Sequence, residues 1–119
     1  MGPRVLGQVR NLKISISISY VREEAWMALG LGGPIGIDAA EIGQIPDWDF
    51  VASTYLGTGA LKRLRNSPQP SLDFAREWTG FEARLKMDER PLAEGIEPAS
   101  AVLFEACFGT VIVTVALPG

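Results

Sequence analysis

The chain has 119 residues, 47% apolar and 21% charged, a composition that suits one hydrophobic core, is short for two, and lies far from that of a disordered segment. A formal net charge of −3 offers no basic field to a phosphate backbone, which excludes nucleic acid as the default partner. With Cys107 as the one cysteine and no histidine, disulfide frameworks, the usual zinc clusters and any mechanism needing an imidazole base are excluded, which leaves oxygen ligands for a hard cation.

Residues 1–7 lack the long apolar core of a secretory signal, and no stretch approaches the roughly 20 apolar residues that cross a bilayer. The expected location is therefore cytoplasmic, with no membrane partner. Residues 14–19 alternate isoleucine and serine, and a period of two places Ile14, Ile16 and Ile18 on one face of a strand and Ser15, Ser17 and Ser19 on the other. A second strand is expected over 25–29, ending where Gly30, Gly32, Gly33 and Pro34 break regular structure, and a third, in meander order, over 35–38.

The middle of the chain changes period. Asp47 is a candidate cap for a helix over 48–55, and Thr58 for one over 59–65, with Pro68 and Pro70 beyond it. Ser71 is a candidate cap for a helix of about four turns on which Phe74, Trp78, Phe81 and Leu85 form a narrow apolar stripe, expected to pack on the sheet. Residues 91–100 read as loop. Residues 101–106 and 110–117, rich in β-branched side chains, read as a closing hairpin turned at Phe108-Gly109.

Three segments carry chemistry. In Pro34-Ile35-Gly36-Ile37-Asp38-Ala39-Ala40-Glu41 a carboxylate ends a hydrophobic strand just past a glycine, which suits a rigid oxygen ligand for Mg²⁺; Asp38 capping a turn, with Glu41 solvated, accounts for the same residues. In Trp78-Thr79-Gly80-Phe81-Glu82-Ala83-Arg84-Leu85-Lys86, Glu82 and Lys86 lie one helical turn apart. They suit either a surface ion pair or a carboxylate completing a metal site beside an ammonium that meets a phosphate. In Ser17-Ile18-Ser19-Tyr20 the hydroxyls suit either phosphate contacts or the polar face of an edge strand.

In this order the three segments, spanning about residues 12–86, resemble the 4'-phosphopantetheinyl transferase superfamily, especially its surfactin-synthetase-activating branch. There a Ser-x-Ser-His strand precedes Gly-Ile-Asp-x-Glu, and a helix with Trp-x-x-Lys-Glu-Ala-x-x-Lys follows. The resemblance implies an α+β fold, an antiparallel sheet packed against helices as one transferase-like lobe. It implies Mg²⁺ and coenzyme A as cofactor and donor, an apo carrier protein as partner, and transfer of the phosphopantetheine arm to a carrier serine with release of 3',5'-ADP. Asp38 and Glu82 would be metal ligands, with Glu41 as a third acid, placed as in holo-acyl-carrier-protein synthases. Glu82 and Lys86 would be catalytic, and Ser19, Tyr20 and Lys86 would contact coenzyme A.

Three positions depart from that pattern: Tyr20 replaces the strand-end histidine, Ala40 the second acid, and Phe81 the lysine before the glutamate. These departures open the alternative of a non-catalytic relative that binds a carrier protein or coenzyme A without transfer. In the family the coenzyme A site lies between two lobes, and this chain corresponds to roughly one. The resemblance, together with the exposed Ile/Ser edge expected of residues 14–20, therefore implies a homo-oligomer, dimer rather than trimer, with that strand near the interface and Asp38 facing it.

Overall fold

A computed structural model describes residues 4–9 and 12–119; Met1, Gly2 and Pro3 of the opening segment lie outside the described residues. Ten elements follow in chain order: strands β1 (Arg4–Val9), β2 (Leu12–Val21), β3 (Glu24–Leu31) and β4 (Gly36–Glu41); helix α1 (Trp48–Val51), running into a π-helical turn (Ala52–Leu56); helices α2 (Thr58–Arg65) and α3 (Pro70–Met87); and strands β5 (Ala101–Phe108) and β6 (Val111–Pro118). The fold is α+β with antiparallel sheets, as expected, but there are two of them. One has the order β1-β2-β3 and the other β4-β6-β5.

The expected meander is thereby corrected. After β3 the glycines and Pro34 carry the chain out of the first sheet, and β4 pairs with β6, Asp38 opposite Thr114. Nor is the Ile/Ser strand an edge: β2 is the middle strand of its sheet, paired to β1 on one side and β3 on the other. The closing hairpin forms, with β5 and β6 in unbroken register from Ala101↔Pro118 to Phe108↔Val111.

The two faces of β2 are used in a sense that hydropathy does not suggest. Ser15, Ser17 and Ser19 are buried, whereas Ile14, Ile16 and Ile18 are only partly covered. Beside β2 runs β4, whose ladder with β6 leaves alternate N–H groups on its other edge. Ser17 Oγ accepts from the Ile37 N–H and Ser19 Oγ from the Ala39 N–H, each at 3.0 Å. Two buried donors that would otherwise lack partners are satisfied by side chains in place of a neighbouring strand. Beyond this seam the sheets close a core of Val21, Ile37, Ala39, Val111 and Val113, with Trp26, Ala28 and Val115 packed against it.

Helix α3 covers the other face of the second sheet. Its contacts there include Thr79, which shares a 2.7 Å hydroxyl hydrogen bond with Thr114, and Ala83 and Met87, which cluster with Ala116. The stripe expected to meet the sheet is partly redirected, because Phe74 and Trp78 pack against Trp48, Val51, Leu56, Leu61 and Leu64 of the short helices. Two of the three expected caps differ in position, and the third is in place without its bond. Asp47 holds the cap position without a side-chain cap bond, Gly57 precedes a helix that begins at Thr58, and Gln69 precedes Pro70, whose fixed φ starts α3 before Ser71.

Candidate functional site

Gly36 sets the geometry of the site. A Cβ at this position would lie 1.9 Å from the Ala83 carbonyl oxygen and 2.5 Å from the Met87 nitrogen, so only glycine lets the α3 backbone lie this close to β4. That approach carries Lys86 onto the strand carrying Asp38. Lys86 Nζ donates to Asp38 Oδ1 at 3.0 Å, to the Ile37 carbonyl at 3.1 Å and to the Ile18 carbonyl at 3.4 Å, which commits all three of its donors. Ser19 donates to the same Asp38 oxygen at 3.2 Å, so Oδ2 has no side-chain donor among the described residues.

Burial pushes the Asp38 carboxyl above its ordinary range, more strongly than the Lys86 ammonium and the hydrogen bonds from Lys86 and Ser19 pull it down. The pair is thus a desolvated one, costly to assemble and costly to break from one side. Glu82, one turn before Lys86, does not form the surface ion pair that its spacing allows. Its Oε1 is buried without a hydrogen-bond partner. Burial raises the Glu82 carboxyl, and the negative charge of Asp38 raises it further, against the opposing pull of Lys86.

These groups line a cavity of about 410 Å³, whose other walls include Ile18, Tyr20, Ile45, Phe74, Trp78 and Leu92. Its size and its mixture of apolar wall with a few convergent charges match those of small-molecule sites. Among the residues singled out in the sequence, Asp38, Glu82, Lys86 and Ser19 come together in this cavity. Tyr20 lines it from an exposed position. Glu41 also lines it but is held elsewhere: Arg22 forks onto both its carboxylate oxygens, with Nε 2.7 Å from Oε2, and this arginine holds Glu41 below the usual carboxylate range. Among the described residues no group of three acid, cysteine or histidine side chains is placed to hold a metal ion. Asp38 and Glu82 therefore stand as a pair without Glu41.

The pair nevertheless suits a hard cation. An unpartnered buried Oε1 and a carboxylate with one oxygen free of side-chain donors are hard oxygen donors, and Mg²⁺ takes one or two carboxylates with water or phosphate oxygens completing its shell. Sequence reasoning missed Ile45, Phe74 and Leu92 as cavity walls, and Arg22 as the residue that engages Glu41. The charged turn Arg22-Glu23-Glu24 was the only signal for the last.

The chain matches no known protein-family model and no curated protein. Among the described residues no helix is long and apolar enough to cross a membrane.

Proposed function

We propose that the chain binds coenzyme A with Mg²⁺ in the Asp38–Glu82–Lys86 cavity and transfers the 4'-phosphopantetheine arm to a serine of an apo carrier protein, as the sequence resemblance implies. The observation that supports this most is Glu82 Oε1, a buried carboxylate oxygen without a partner, in the same cavity as an acid 44 residues earlier in the chain, Asp38. A native fold keeps such a group only for a reason, because leaving it unsatisfied costs about 1–3 kcal/mol.

Asp38 and Glu82 would hold the cation, which when bound neutralises charge on the pyrophosphate. The carrier serine oxygen forms a bond to the β-phosphate as the bond to the departing 3',5'-ADP breaks. Glu82, its carboxyl raised by burial, would take the serine proton. Lys86 is the cavity's ammonium for a phosphate oxygen, and Trp78 with Phe74 supplies apolar wall for the arm.

A second reading, binding without transfer, is favoured by one observation. The three donors of Lys86 are spent on Asp38, Ile37 and Ile18, and the side chain where the family has a second cation, Phe81, is buried and stacked on Trp78. Mass spectrometry of apo carrier proteins incubated with the chain, Mg²⁺ and coenzyme A tests transfer. Calorimetry with coenzyme A, with and without Mg²⁺, tests binding. Transfer that is lost in Glu82→Gln supports the first reading, and Mg²⁺-dependent binding without transfer supports the second. Neither binding nor transfer overturns both.

A further inference from the structure

Helix α3 serves a second cavity on its other side. Two residues along a helix turn its face by about 200°. So while Trp78, Glu82 and Lys86 line the first cavity, Arg76, Gly80 and Arg84 line an open groove of about 770 Å³, and no described residue lines both. The other walls of this groove are the π-helical turn (Ala52–Leu56), α2, the loop over 94–98 and β5. Two of its charge pairs are closed: Arg63 with Glu77 and Arg76 with Glu105, each at 2.6 Å. Three charges are left over. The half-buried Arg84 donates its Nε to the Gly80 carbonyl at 3.3 Å, and its terminal nitrogens meet no carboxylate among the described residues. Glu94 and Glu97 line the same groove and meet no cation among them, and the Arg90 Nη1 bond to the Glu97 carbonyl, at 2.7 Å, anchors their loop.

Opposite charges that share a groove without meeting leave room for a ligand that carries both. We propose that this groove binds a short apolar peptide by its free termini, the carboxylate on Arg84 and the ammonium on Glu94 and Glu97. A ligand of one sign would strip water from the unmatched charges as it entered, whereas a zwitterion matches both. The terminal nitrogens of a guanidinium fit the two oxygens of a carboxylate. Between the charges the wall is mixed. Leu56, Ile96 and Leu103 offer apolar surface to a side chain. Ser53 and Thr54 each donate their hydroxyl to the Phe50 carbonyl, at 2.9 and 2.8 Å, so their remaining lone pairs are acceptors for a ligand N–H. Acceptors for internal N–H groups favour a peptide over a free amino acid. So does size, since the groove has nearly twice the volume of the first cavity and approaches the upper end for small-molecule sites. The π-helical turn that carries both hydroxyls is an irregularity frequent at functional sites.

This inference stands whether or not the transferase reading holds, because it uses none of the residues of the first cavity. The test is a nuclear magnetic resonance titration of the full chain, free of divalent cations and coenzyme A, with the tripeptide alanyl-leucyl-alanine. Saturable amide shifts should appear over 53–57, 80–84 and 94–98. The N-acetylated peptide and the C-terminal amide, each lacking one charge, should bind about fivefold more weakly or worse. Arg84→Gln and the double variant Glu94→Gln/Glu97→Gln should lose as much while their far-ultraviolet circular dichroism stays native. Glu82→Gln, on the far side of α3, should keep its affinity within about twofold. Absence of saturable shifts, equal binding of either blocked peptide, or an affinity unchanged in Arg84→Gln would overturn the proposal. Binding lost in Glu82→Gln would put the peptide in the first cavity and overturn it as well.

Discussion

Replacing Ser17 by alanine isolates the hydroxyl seam between the two sheets. Ser17 is fully buried, and its Oγ is the acceptor 3.0 Å from the Ile37 N–H. The substitution removes one oxygen, opens almost no volume, and leaves a buried backbone donor with neither water nor protein to bond. That penalty is about 1–3 kcal/mol, so we take ~2 kcal/mol. In a domain of this size it lowers Tm by about 6–12 °C. Ser15 is the control on the same face: it too is buried but makes no such bond among the described residues, so Ser15→Ala should cost less than about 0.5 kcal/mol. Urea titration of both variants should shift the midpoint of Ser17→Ala alone, with m unchanged. If Ser17→Ala is as stable as wild type, or Ser15→Ala equally damaging, the serines are inside only because they are small, and the seam has no bonding role.

Glu82→Gln, studied without divalent cations, should stabilise the protein at pH 7 by about 1 kcal/mol, since it removes a buried charge that has no partner. Glu82 and its neighbour Asp38 both have raised folded-state pKa values. Their contribution to stability is present below the ordinary carboxylate values of 3.8 and 4.5 and is lost as pH rises through the folded values. The advantage of Glu82→Gln should therefore fade as pH falls toward 4.5, and thermal melts across that window check it; an advantage that grows on acidification would be the wrong sign. Gly36→Ala should cost about 3 kcal/mol, the upper end for overpacking, because its Cβ meets backbone atoms of α3 that no rotamer can move. A denaturant midpoint within about 1 kcal/mol of wild type would mean that α3 can shift off β4.

Much of the element content was legible because it rests on local period. The alternation at residues 14–19, the 3.6-residue stripe through Phe74 and Trp78 and the valine-rich hairpin each mark the right kind of element. What they face was not legible. Hydropathy alone turns Ile16 inward and Ser17 outward, yet the unsatisfied N–H groups on β4 cost more than an exposed isoleucine, and they belong to a strand 20 residues away. Local spacing likewise offers Glu82 and Lys86 to each other. The missing side chain of Gly36 brings β4 close enough for Asp38 to take the lysine, and Glu82 is left unpaired. The π-helical turn at Ala52–Leu56 leaves no signature in the sequence beyond ordinary helix-compatible residues.

The Ile-Ser repeat has one more consequence. Ser17 and Ser19 meet Ile37 and Ala39 at a constant offset, so moving β2 back by one dipeptide, about 6.7 Å, would present Ser15 and Ser17 to the same two N–H groups. The seam behaves as a row of equivalent notches and cannot by itself tell one from the next. The notch is chosen at its end, where Arg22 reaches Glu41 and Ser19 reaches Asp38. A chain that gained or lost a single Ile-Ser unit would keep its sheets joined, and the change would fall on the tether between Arg22 and Glu41 and on the alignment of Ser19 with the cavity.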